Sequence, residues 1–259
     1  MTASRQRWSA IILAGQRPGP DRLAAHFGER WKALVKIGGE PMLTHVVRTL
    51  SETPEVARTI ILGQEPEALR EAAQAGGPVT LIASTAGISD SILRVAGTPE
   101  APWPVLVTTA DHPLLTPAFV SAFLGRCGGC DLAVGMVERK VMRAAYPDNR
   151  RTWLKFADGQ WSGANLFALN SDAARGALHL WTEAERDRKK AWKLFLHFGP
   201  WLALRAISRT IGLAAALRIA GNRLGLDARL VPLADAETAI DVDKPSDHTL
   251  AEEILARRG

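Results

Sequence analysis

Ile11-Ile12-Leu13-Ala14-Gly15-Gln16-Arg17-Pro18-Gly19-Pro20-Asp21-Arg22 is the stretch on which the reading of the chain turns. Three large apolar residues run into Ala14-Gly15, the pattern of a buried strand that stops at a loop. The loop has no long side chain at its first turn and carries Gly19, so its backbone N–H groups can come close to an anion. Leu13, Ala14, Gly15 and Gly19 are therefore candidate anion-binding positions. Arg17, Arg22 and, further on, Lys32 can supply the positive charge that a polyphosphate requires. An ordinary strand-to-helix turn with surface arginines fits the same residues.

Two acidic segments lie far downstream. The run Trp103-Pro104-Val105-Leu106-Val107-Thr108-Thr109-Ala110 has the β-branched content of a buried parallel strand. Asp111 falls just past its carboxyl end, where open α/β sheets place ligand groups. A carboxylate there suits Mg²⁺, which takes one or two protein carboxylates plus substrate phosphates; an Asp capping the following turn is the alternative. In Ile240-Asp241-Val242-Asp243-Lys244-Pro245 the two-residue period of a strand puts both aspartates on one face. Paired carboxylates are unfavourable without a positive partner, which a divalent ion would provide. A solvated edge strand is the other use.

Composition bounds the answer. With 259 residues, the chain suffices for one large α/β domain spanning 1–259. An apolar fraction of 47% with 23% charged residues excludes global disorder. No run of about 18 uncharged apolar residues is present, so a membrane span is not expected. The first eight residues lack a signal peptide's apolar stretch, and two cysteines suit a reducing compartment. A cytoplasmic protein is expected. Of the net charge of +5, nine Lys or Arg and one Asp between Arg186 and Arg223 contribute +8, leaving −3 for the rest. The basic character belongs to one segment and does not mark a nucleic-acid-binding surface.

Strand-like runs are expected at 9–14, 58–62, 79–83, 105–109, 131–137, 164–169, 228–233 and 239–242, and helices at 42–52, 66–75, 88–96, 117–125, 171–180 and 246–257. The alternation predicts βαβ units and a mainly parallel sheet. Residues 181–225 break the rhythm: rich in Leu, Ala and Arg and interrupted at Gly199-Pro200, they read as a helical basic insertion or lid. Gly87-Ile88-Ser89-Asp90-Ser91 opens a helix, where Ser89 and Ser91 could hold ribose or phosphate or simply cap the helix. Cys127-Gly128-Gly129-Cys130 lacks the second pair of a zinc site, and the six histidines show no ligand spacing. Trp153, Trp161, Trp181, Trp192 and Trp201 fit apolar packing better than base stacking.

Taken in order, Leu13-Ala14-Gly15, Lys32-Ala33-Leu34 leading to Gly38-Gly39-Glu40-Pro41-Met42-Leu43, Asp111, and Asp241-Val242-Asp243-Lys244-Pro245 resemble the MobA-like nucleotidyltransferases. The resemblance covers most of the chain apart from about 181–225. It implies a Rossmann-like sheet of the glycosyltransferase-A type. It also implies that the loop from Leu13 to Arg22 wraps a triphosphate, that Lys32 contacts phosphate, and that Asp111 with Asp243 or Asp241 holds the metal. Ser89 and Ser91 would lie near the nucleoside, and Gly163-Ala164-Asn165 resembles an acceptor-side segment. The chain departs from the family pattern at Gln16, where a second glycine is usual, and at Trp31, where a proline precedes the lysine.

The expected function is Mg²⁺-dependent transfer of an NMP from an NTP to a phosphorylated acceptor, with release of pyrophosphate. The acceptor's phosphate, already ionised near neutral pH, would attack the α-phosphorus in line, so positioning and charge neutralisation carry the reaction. Two alternatives stand beside it: a nucleotide-sugar glycosyltransferase, and a non-catalytic nucleotide-binding or membrane-associated protein of the same fold. Lys190, Lys193 and His197 recur at helical spacing, with Arg205 and Arg209 beyond the break. Basic amphipathic helices of this kind lie on anionic membranes. Peripheral contact of 186–223 with the inner membrane face, and a lipid-linked acceptor, are therefore weighed against packed helices with solvated arginines or an acceptor lid.

Overall fold

The computed structural model describes residues 7–16, 19–85, 87–186 and 198–258. Arg17 and residues 187–197, with Lys190, Trp192 and Lys193, lie outside the described residues.

The first strand, β1 (Trp8–Leu13), lies inside the sheet, with neighbours on both sides. It pairs in parallel with β4 (Val56–Gly63) on one side and β6 (Val105–Thr109) on the other, and β4 pairs in parallel with β5 (Thr80–Ala83). The short strands β2 (Lys36–Ile37) and β3 (Glu40–Pro41) form a separate hairpin whose turn, Gly38-Gly39, has φ of 60° and 83°. Glycine takes two consecutive positive φ angles without strain.

Beyond β6 the sheet becomes mixed. The long strand β9 (Gly159–Leu169) inserts antiparallel between β6 and β7 (Leu132–Glu138), and β8 (Leu154–Phe156) pairs with β9. β10 (Ala228–Leu233) closes the far edge in parallel with β7. The order is β10-β7-β9-β6-β1-β4-β5.

Central strands of a parallel sheet are covered on both faces, and these read accordingly. Ile11, Ile60, Leu62, Val105 and Val107 pack with Ile92, Val95 and Leu178 on one face. Ala10, Ile12, Ile61 and Leu106 pack on the other with Val46, Leu50, Phe123 and Ile254. Each fully buried Ile, Leu or Val contributes about 1.5–3 kcal/mol. The helix Pro117–Leu124 is started by Thr116, whose hydroxyl accepts the amide of Phe119 at 3.2 Å, with Pro117 at the first helical position.

The structure differs from expectation in several places. Residues 239–242 form no strand of the sheet; a 3₁₀ turn, Ala236–Ala239, leads into an extended segment whose Val242 amide donates to the carbonyl of Asp111 at 2.9 Å. The alternation nevertheless holds, because Ile240 and Val242 are buried. The helix expected at 171–180 begins with a 3₁₀ turn and runs as Arg175–Arg186, past the expected start of the insertion. Within the later segment, helices Pro200–Ile207 and Leu213–Arg223 are described. The second packs against β10, and its Leu213 joins Met136 and Trp161. The helix Arg139–Ala145 and the β8–β9 hairpin carry no signal in the sequence reading above.

Candidate active site

The carboxyl ends of β1, β4, β5 and β6 open onto one side of the sheet, and the charged side chains gather there. Lys32 sits in a 3₁₀ turn, Lys32–Leu34, between the first helix and the β2–β3 hairpin. Its ammonium donates to Asp111 Oδ2 at 2.5 Å and also to Asp243 Oδ1. Burial alone would pull the lysine's pKa down, but Asp111 and Asp243 outweigh it and raise it above the ordinary lysine range. Burial likewise pushes the Asp111 carboxyl up. The charge and hydrogen bond of Lys32, with a contribution from Thr109, outweigh that and hold it below the usual carboxylate range.

Local chemistry fixes this trio. Ala110 donates its amide to the carbonyl of Leu13 at 3.0 Å, so Asp111 follows immediately where β6 parts from β1. The Val242–Asp111 backbone bond brings Asp243 to the same point. Asp247 Oδ2 accepts the amides of Asp243 and Lys244, both at 3.2 Å, and so ties that turn to the helix Pro245–Arg258. The helix also holds the other wall: Glu252 Oε1 accepts the amide of Gly38 at 2.9 Å, and His248 stacks on Phe27 with ring centroids 4.2 Å apart.

The N-terminal loop is latched by two glutamines. Gln16 donates its amide to Gln64 Oε1 at 3.1 Å, while Gln64 Nε2 donates to the Gln16 carbonyl at 2.7 Å. A Cβ at Gly15 would lie 3.1 Å from the Gln64 side chain, so the glycine lets that pair close. The Gln16 side chain bonds the amide of Lys32 and the carbonyl of Arg30. Gln16 and Trp31, the two departures from the family pattern, are thus neighbours, with Trp31 buried beneath the bracket. Gly19 is exposed with φ 97°, and Arg22 is exposed at the start of the helix Arg22–His26, which Asp21 caps through the amides of Leu23 and Ala24.

Asp241 is not brought onto Lys32. Its Oδ1 pairs with Arg151 at 2.8 Å, and Asn165 Nδ2 stands 3.5 Å from its Oδ2. Burial raises the Asp241 carboxyl, Arg151 opposes this, and the charges of Asp111 and Asp243 add to it. Asn165 has φ 51° and lies in a bulge of β9, where the register shifts against β7. Bulges of this kind re-aim side chains beside functional sites. Gly163 precedes it, opposite Met136. Arg151 also donates to Ser162 Oγ at 3.1 Å. Neither Arg151 nor the role of Gln16 was found by the sequence reading: an arginine in the polar run Asp148-Asn149-Arg150-Arg151, or a glutamine after a glycine, carries no periodic signal.

Ser89 and Ser91 are both buried. Ser91 Oγ donates to the Gly87 carbonyl at 2.7 Å and accepts the Thr85 amide at 2.9 Å, closing the loop ahead of its own helix. A cavity of about 390 Å³ lies at the β5 edge, lined by Thr80, Ile82, Ser91 and Arg94, away from the Lys32 cluster.

Asp111 Oδ2 and Asp243 Oδ1 converge on a single cationic atom, the geometry that a small divalent cation with two carboxylate ligands also needs. Oxygen-only donors suit Mg²⁺. Among the described residues no group of three or more His, Cys, Asp or Glu has metal-site geometry.

The mostly parallel sheet is similar to those of nucleotidyltransferase folds. Over residues 10–196 the chain matches the MobA-like NTP transferase domain, and it belongs to that family. The match stops short of Asp241 and Asp243. A hypothetical transferase from Thermus thermophilus is 27% identical, with a TM-score of 0.79 over 93% of this chain and 99% of that one. CMP:2-keto-3-deoxy-manno-octonic acid synthetase complexed with CTP is 18% identical (TM-score 0.60, 97% of this chain and 100% of the other). 4-Diphosphocytidyl-2C-methyl-D-erythritol synthase from Anaerococcus prevotii is 11% identical (TM-score 0.58, 98% and 100%). The last two likenesses concern the fold. No curated protein matches the chain.

Proposed function

We propose that this protein transfers an NMP from an NTP to a phosphorylated acceptor and releases pyrophosphate. The observation that carries the proposal is Lys32 held between Asp111 and Asp243 at the carboxyl ends of the parallel strands. In this reading Asp111 and Asp243 would hold Mg²⁺, which when bound neutralises triphosphate charge. Lys32 turns its ammonium from the carboxylates to a phosphate oxygen and stabilises the charge that develops as pyrophosphate departs. The loop from Leu13 through Gly15 and Gly19 to Arg22 lies along the triphosphate, with Arg17 and Arg22 adding charge. Ser89 and Ser91 shape the wall on the nucleoside side. Gly163 and Asn165 face the acceptor, with Asp241 and Arg151 beside them. An ionised phosphate nucleophile needs no general base, so alignment of the acceptor is what these residues contribute.

The same reading takes 1–259 as one domain, with 181–225 as a basic insertion in it, working in the cytoplasm. Pyrophosphate release with Mg²⁺ and each of ATP, GTP, CTP and UTP, against a panel of phosphomonoesters, tests it. CTP is the natural first choice, since one structural neighbour was solved with it. Release with one nucleotide and one acceptor class is the expected result. Silence across the panel, with no thermal shift from any nucleotide, would sink the proposal.

A further inference from the structure

We propose that the helix Pro200–Ile207, with the turn that ends it, is a peripheral contact with an anionic phospholipid bilayer. Trp201, Leu204 and Ile207 are 68%, 55% and 80% exposed, three of the six exposed large hydrophobic residues among the described residues. At 3.6 residues per turn, positions 201, 204 and 207 fall within about 120° of arc, so they form one face. Leu202 and Ala203, on the other side of the helix, are buried. Trp201 therefore departs from the packing role expected of it.

A bare apolar face alone does not name its occupant; the charge around it does. Residues 198–226 contain Arg205, Arg209, Arg218 and Arg223 and not one Asp or Glu. Arg205 falls beside Trp201 on the helical wheel and donates to the Thr210 carbonyl at 3.2 Å, which holds it at the rim of the face. Arg209, exposed, takes φ 55° at the helix end, where its amide donates to the carbonyl of Ala206 at 3.2 Å. A left-handed residue there ends the helix and turns the chain. Residues 186–197, next to it in sequence, contain five Lys or Arg and one Asp. A segment this one-sided matches a surface that is itself anionic, with Trp at the headgroup level and aliphatic side chains below it. None of the described helices is long and apolar enough to cross a membrane, so the contact lies on the bilayer.

The test is co-sedimentation of the full chain with vesicles of phosphatidylcholine alone and of phosphatidylcholine with phosphatidylglycerol. Binding is expected to the mixed vesicles, little to the neutral ones, and less as added salt shortens the Debye length below about 8 Å. The triple variant Trp201→Ser, Leu204→Ser, Ile207→Ser should bind roughly tenfold or more weakly, as expected when large apolar side chains leave an interface. Should that variant misfold by circular dichroism, Ile207→Glu at the most exposed position must show the loss instead. Failure of the parent chain to bind mixed vesicles overturns the proposal, and so does equal binding by the folded variants. A concentration-dependent dimer in the parent that the variants abolish, without vesicle binding, assigns the face to a second copy of the chain and also overturns it.

Discussion

Gln16 reaches around Trp31 and holds the backbone on both sides of it, accepting the amide of Lys32 and donating to the carbonyl of Arg30, each at 3.1 Å. Lys32 is the residue whose ammonium meets both carboxylates. The bracket therefore sets where that ammonium starts from.

Replacing Gln16 with Ala should lower kcat/KM for the nucleotide by roughly ten- to hundredfold, since small misplacements of a charge-stabilising group are amplified in rate. Stability should fall by only about 1–2 kcal/mol, because the lost hydrogen bonds are solvent-accessible. Steady-state pyrophosphate release beside a urea melt separates the two effects. A variant with unchanged kcat/KM would deny Gln16 any positioning role.

Lys32→Ala leaves Asp111 and Asp243 facing each other without a cation. The variant should lose about 1–3 kcal/mol of stability in the absence of Mg²⁺. Added Mg²⁺ should raise its Tm more than that of the parent, in which the ammonium competes for the same oxygens. Thermal melts with and without the ion check this independently of turnover. An identical Mg²⁺ response in parent and variant would mean the ion does not bind between these carboxylates.

Arg151 and Asp241 form a pair that is largely shielded from solvent, with side chains 14% and 22% exposed. Arg151→Ala removes the charge that opposes the burial of Asp241, and should destabilise the fold by about 2–4 kcal/mol. Adding Asp241→Asn to that variant should recover part of the loss, giving a coupling energy of about 1–3 kcal/mol in a double-mutant cycle. Additivity between the two changes would show that they do not act as a pair.

Cys127 is fully buried, and burial pushes its thiol up from about 9 to about 12. The unfolded chain then releases this proton before the native one does, so the contribution of this group to stability declines as pH rises from about 9 to 12. At pH 8 the native thiol should react with a disulfide reagent far more slowly, by about a thousandfold in thiolate fraction, than in urea. Stopped-flow labelling in both states measures it. Equal rates would place the thiol at the surface.

The strands at 9–14, 58–62, 105–109, 131–137 and 228–233 were legible because buried parallel strands are short apolar runs bounded by breakers. Their neighbours were less so. β9 begins at Gly159, five residues before the apolar run at 164–169, because its first half pairs with β8 in a hairpin and carries Gln160, Ser162 and Gly163. Residues 239–242 have the two-residue alternation of a strand, yet their backbone bonds a loop; periodicity reports which side chains are buried and not where amides find partners. Lys32, Asp111 and Asp243 could be picked from their places at element ends, and the structure gathers them. Asp241 shares the motif but faces Arg151, a partner 90 residues away that no local pattern marks.

The amide of Val242 and the carbonyl of Asp111 are joined across 131 positions of chain. During synthesis, β1, β4, β5 and β6 can come together from their own local crossovers long before the segment that carries Asp243 exists. A growing chain therefore has these four strands and Asp111 before it has Asp243, the second carboxylate that meets the Lys32 ammonium.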